Sequence, residues 1–115
     1  MEMNNTTPDY QVYVVQRNSY PSNQNQPASS KWAVYPGLVV ASPGKTLGWK
    51  VQDSKDLPIT LKDIGNLFEA GSFAQSGKEA TATIREGAAP GYYEYRFFWG
   101  KDEAQGGSAP GVIIE

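Results

Sequence analysis

The chain has 115 residues, enough for one domain whose folding buries roughly two-thirds of its unfolded surface. Charged residues make up 19% and the formal net charge is −2, so no basic field exists to hold a phosphate backbone, and nucleic acid is excluded as an expected partner. There is no Cys and no His, which excludes disulfides, thiolate nucleophiles, imidazole bases, the usual zinc sites and type 1 copper sites.

The 12 Gly and 8 Pro suit a β domain with many turns better than a helical bundle, because both residues break helices and punctuate strands. The opening "MEMNNTTPDYQ" has no basic region followed by an apolar one, so it does not read as a signal peptide. The expectation is a cytoplasmic protein as given, or an exported one supplied without its leader. No apolar run approaches the roughly 20 residues a helical span needs, so no membrane partner is expected. Residues 1–8, rich in Asn and Thr, are expected to fray.

In chain order, "YQVYVVQR" from Tyr10 is rich in β-branched and aromatic residues and reads as a strand. Residues 18–31, dominated by Asn, Gln, Ser and Pro, cannot bury enough apolar area to offset their ordering entropy and read as a long surface loop. A strand follows from Trp32, breaks at Pro36-Gly37 and resumes from Leu38 to Ala41. Pro36 donates no ladder hydrogen bond, which places the break at a sheet edge or bulge. "KTLGWKVQ" alternates, with Leu47, Trp49 and Val51 on one face and Lys45 and Lys50 elsewhere.

Leu57 to Asp63 is a further short strand, residues 64–77 hold at most one helical turn near Asn66 to Ala70, and "KEATATIRE" alternates again. Pro90-Gly91 opens the aromatic strand "GYYEYRFFWG", "KDEAQGGSAPG" is a Gly-rich loop, and "GVIIE" closes the chain as an apolar strand. About seven strands without helical repeats predict an all-β, antiparallel Greek-key sandwich in a single domain, residues 1–115.

Candidate catalytic sets are weak. Asp53, Asp56 and Asp63 lack the spacing of a calcium loop, and no pair among Glu69, Glu79, Glu94, Asp102 and Glu103 is singled out for acid–base work. "GKDEAQGG" lacks the Lys-Ser/Thr ending of a phosphate-binding loop. No enzyme activity and no cofactor are expected.

From about Trp32 onward the chain resembles the cupredoxins. The resemblance rests on "SPGKTLGWKV", "DLPITL", "APGYYEYRFF" and "GVIIE", and is strongest between Gly77 and Glu115. It implies the family's sandwich, and a copper centre whose ligand positions fall on Ile59, Phe97, Gly100 and Ala109. None of the four is a His, Cys or Met, so the resemblance implies the fold without the metal or its electron transfer.

The resemblance also implies that Tyr93, Tyr95, Phe97 and Trp99 face the core, with the Tyr93 hydroxyl tying down a neighbouring loop. Tyr92, Glu94, Arg96 and Phe98 then face outward, either as a solvated sheet face or as a contact surface rich in aromatics and Arg. The leading expectation is a copper-free, non-catalytic interaction or structural module that self-associates as a homo-oligomer. The alternative is a small-molecule or carbohydrate-binding module that stacks its ligand on Trp32 or Trp99.

Overall fold

The computed structural model describes residues 7–16, 31–105 and 109–115. The expected 18–31 loop, apart from Lys31, and the expected fraying of residues 1–8, apart from 7 and 8, lie outside the described residues. Ten strands form: β1 (Tyr10–Gln16), β2 (Trp32–Tyr35), β3 (Leu38–Ala41), β4 (Thr46–Val51) and β5 (Ile59–Asp63) in the first half of the chain. The second half adds β6 (Ala74–Ser76), β7 (Glu79–Thr83), β8 (Gly91–Trp99), β9 (Asp102–Ala104) and β10 (Gly111–Ile114). There is no helix among the described residues.

The fold is an all-β sandwich, and β8 belongs to both of its sheets. Residues Gly91 to Glu94 pair with β10, which pairs in turn with β3, making a small sheet. Residues Tyr95 to Trp99 lie between β5 and β9 in the large sheet, which continues from β9 through β2, β1, β4 and β7 to β6. Between β2 and β3 the chain leaves the large sheet for the small one. The break expected at Pro36-Gly37 is this crossing, and the Tyr35–Pro36 bond there is cis. β3 then pairs with β10 alone among the described residues, at the edge of its sheet.

Three differences from the sequence expectation have physical causes. Ten strands appear where about seven were expected, because β6 and β9 are three residues long and carry no apolar alternation to read. β9 forms only because the chain doubles back at Gly100 (φ 61°) to pair Ala104 with Phe97. The pairing is also mixed rather than wholly antiparallel: β1 with β4, β3 with β10 and β2 with β9 run parallel. These strands are not neighbours in sequence, and only a crossover can set them side by side in the same direction.

No helical turn forms at Asn66 to Ala70. The Asp63 carboxylate accepts hydrogen bonds from the Leu67 and Phe68 amides at 2.7 and 2.8 Å, and Phe68 bridges to Ile84. A side chain that satisfies the local donors replaces the helix that would otherwise have used them.

The core lies between the sheets, and the alternation expected in β4, β7 and β8 holds. Val12, Val14, Leu47, Trp49, Val51, Ala80, Ala82, Ile84, Tyr95, Phe97, Trp99, Val112 and Ile114 are all buried. Trp49 is at its centre, with its ring 5.4 Å from Tyr95, 5.8 Å from Phe97 and 5.8 Å from Phe68. The Tyr95 and Phe68 contacts are edge-on, at 72° and 71°, the orientation ring quadrupoles favour.

Candidate functional site

The positions carried over from the copper proteins gather along the second half of β8. Ile59 stands opposite Trp99 in the β5–β8 register, and Phe97 stands between Leu61 and Ala104. The Gly100 amide donates to the Pro58 carbonyl at 2.8 Å, which holds the end of β8 against the start of β5. Ala109 precedes Pro110, whose carbonyl accepts from the Tyr95 amide at 3.1 Å. Ile59 and Phe97 are buried in the common core, Gly100 is a turn, and Ala109 is half-buried.

Trp32 and Trp99, expected as stacking platforms, are core residues, 3% and 0% exposed. Each stands at an inward position of its strand, so no ring face is open to a sugar. The Trp99 indole is nevertheless tethered at its polar end: its N–H donates to the Asp53 carboxylate at 2.7 Å. That bond, with a further one from the Ser54 amide, holds the Asp53 carboxyl below its ordinary range.

Tyr92, Glu94, Arg96 and Phe98 share the outward face of β8, but the strand divides them between two sheets. Arg96 and Phe98 stand in the large sheet beside β9. The Arg96 guanidinium makes a two-pronged contact with Glu103, Nε to Oε2 at 2.8 Å and Nη2 to Oε1 at 2.6 Å. It also lies 5.2 Å from the Phe98 ring centre, and Lys62 Nζ lies 5.5 Å from the same ring. The contact raises the pKa of Arg96 and lowers that of Glu103. Phe98 is thus already occupied by two cations, and this half of the strand is a self-satisfied polar face.

Tyr92 belongs to a different neighbourhood. In the small sheet, Leu38 lies beside Gly111 and Glu94, and Val40 lies beside Ile113 and Tyr92. The outward positions therefore make an apolar patch: Leu38 is 49% exposed, Val40 50% and Tyr92 57%, with Ile113 partly exposed between them. The Tyr92 ring leans over Gly111, where a Cβ would fall 2.5 Å from a ring carbon. The glycine lets an aromatic lie flat across the middle strand towards Leu38. This patch borders the far edge of β3, which meets no further strand among the described residues and whose four residues carry no charge.

No protein-family model matches the chain, and neither does any curated protein. Among solved structures, the chain is similar to a purple cupredoxin from Nitrosopumilus maritimus, at 15% identity and a TM-score of 0.49 over 93% of this chain and 100% of that one. It is also similar to a pseudoazurin from Sinorhizobium, at 19% identity and a TM-score of 0.43 over 92% of this chain and 72% of that one.

A copper centre of the type the sequence resemblance implies does not fit these residues. Its trigonal set needs two imidazoles and a thiolate, and the chain has neither residue type. Ile59 and Phe97 offer carbon alone, in the interior.

Leu38, Val40 and Ile113 carry no sequence signal of their own, because "LVVA" and "GVII" are apolar at every position and alternation cannot tell which face is covered. The signal available was Pro36, which marks the neighbouring strand as an edge. Tyr93 behaves as expected: its hydroxyl donates to the Ala89 carbonyl at 2.6 Å and pins the turn before β8.

Proposed function

We propose that this chain is a copper-free, non-catalytic cupredoxin-like interaction module that self-associates through β3. The observation that carries this reading is the uncharged edge strand Leu38–Ala41, which pairs with β10 alone among the described residues and joins an exposed apolar patch. An unpaired strand edge is a template for another strand, and proteins usually blunt such edges with charges. Here Pro36 and Pro43 bracket the strand instead, limiting pairing to these four residues and so favouring a closed dimer over an open stack.

A second copy is a suitable occupant. With Val39 opposite Val39 of the second copy about a two-fold axis, Leu38 falls beside Val40 of that copy, and core-facing residues stay on one side. The small sheets join into one of six strands. A net charge of −2 per chain opposes this little. Support for a non-catalytic role is that no Asp, Glu, Lys or Arg side chain is buried among the described residues. The titratable group in the interior is the Tyr95 phenol, which burial keeps protonated and whose hydroxyl is taken up by the Trp49 indole.

The test is solution mass by light scattering over a wide concentration range, on wild type and on Val40→Lys. Val40 is exposed, so the substitution charges the edge without disturbing the core, and circular dichroism checks the fold. A wild-type dimer that Val40→Lys dissociates is expected. A single-chain mass at every concentration, or a dimer indifferent to Val40→Lys, overturns the proposal.

A further inference from the structure

On the opposite flank of the molecule, the outward face of the large sheet carries an aromatic pair. Tyr13 of β1 and Tyr35 of β2 are direct partners in the antiparallel register, and both point to solvent at 41% and 62% exposure. Among the described residues this is the one place where two exposed tyrosines are direct cross-strand partners. The same row continues across the sheet: Tyr13 pairs with Lys50 of β4, and Lys50 with Glu79 of β7. Lys50 and Glu79 are both exposed, at outward positions of their strands.

We infer that this row is a saccharide-binding platform, with an oligosaccharide lying across the strands from Tyr35 towards Glu79. Neighbouring strands are roughly 5 Å apart, so Tyr35 and Tyr13 rise from adjacent strands beneath neighbouring parts of one oligosaccharide. The C–H faces of a pyranose are weakly positive and suit the negative face of an aromatic ring. Lys50 and Glu79, which make no ion pair with each other or with another described residue, supply a donor and an acceptor for hydroxyls beyond the second ring. The phenol hydroxyls make no hydrogen bond to another described residue and are open to the same sugars.

A cross-strand tyrosine pair also stabilises a sheet, but that role is confined to the pair itself. It does not account for polar groups continuing in the same row. The platform is independent of the β3 edge and of self-association.

The experiment is saturation-transfer NMR and calorimetry with cellohexaose, xylohexaose, mannohexaose and chitohexaose on the full chain. At least one is expected to bind. Tyr13→Ala and Tyr35→Ala should each weaken it about tenfold or more, while Tyr35→Phe, which keeps the stacking face, should stay within about threefold. Both tyrosines are exposed, so the variants keep their fold, which circular dichroism verifies. Val40→Lys should bind as wild type, which separates this site from the self-association edge. Failure of all four sugars to bind at millimolar concentration overturns the inference, as does binding that survives the Tyr13→Ala/Tyr35→Ala double variant.

Discussion

Trp49 donates its indole N–H to the Tyr95 hydroxyl at 3.1 Å, joining two large side chains that are otherwise surrounded by apolar groups. The bond ties β4 to β8, and so the middle of the large sheet to the strand shared with the small one. Burial pushes the Tyr95 phenol far up from its ordinary pKa, with the Trp49 hydrogen bond opposing in part. Tyr95→Phe leaves the indole donor in the interior without its acceptor. The expected cost is about 1–3 kcal/mol, read from urea unfolding with an unchanged m-value. Adding Trp49→Phe to that variant should cost less than Trp49→Phe alone does in wild type, because the orphaned donor goes with it.

Phe97 occupies a position that the family resemblance gives to a metal ligand, and it is fully buried between Leu61 and Ala104. Phe97→Ala should cost about 3–5 kcal/mol through lost burial and the cavity left behind. Phe97→Leu, which refills much of the volume, should cost clearly less in the same denaturant titration.

Acid should destabilise the fold through three carboxylates. Asp9 is held low by the Thr46 amide and hydroxyl, Asp53 by the Trp99 indole, and Glu103 by Arg96. Each has a folded pKa below its unfolded one, so its contribution is complete above the unfolded value and is lost as pH falls through the folded value. The melting temperature should therefore hold from pH 7 to about pH 5 and drop below about pH 4. The Asp9→Asn/Asp53→Asn/Glu103→Gln variant should melt lower at pH 7, and its curve should converge on the wild-type curve near pH 2.5. Parallel curves across that range would refute the linkage.

Arg96 and Glu103 make good geometry at a solvated surface, with side chains 41% and 22% exposed. Water screens such a pair, so Arg96→Ala should change stability little, and the change should vanish in about 1 M salt. Paired unfolding titrations at low and high salt check this.

Gly48 is the close-approach point of β4. A Cβ there would fall 2.5 Å from Pro8 Cγ, so Gly48→Ala must push Pro8 outward. The next residue, Asp9, exchanges hydrogen bonds with Thr46 on both sides, its amide donating to Oγ1 at 3.0 Å and its carboxylate accepting from the Thr46 amide at 2.9 Å. Faster hydrogen exchange at the Asp9 and Thr46 amides is expected in Gly48→Ala, with Trp49 still protected.

Much of this protein was legible in its residues alone. Period-two alternation in "KTLGWKV", "EATAT" and "YEYRFFW" put Leu47 with Trp49, Ala80 with Ala82 and Tyr95 with Phe97 on shared faces, because a strand sends successive side chains to opposite sides wherever it lies, and those faces are the buried ones. The absence of Cys and His was legible in the same way, since ligand identity is a property of composition, and it removes the donor set a type 1 copper site uses. What alternation could not supply was which of two faces is covered when both are apolar, or which strands meet. Leu38 and Val40 are exposed because they stand on the outward face of the small sheet. Phe98 is occupied because β5 brings Lys62 to it and β9 brings the Glu103 that holds Arg96 beside it, and Trp32 and Trp99 are closed by strand pairings that join separate segments. Those outcomes depend on pairings between distant segments, which are fixed by how the layers close over one another and leave no mark in the local pattern.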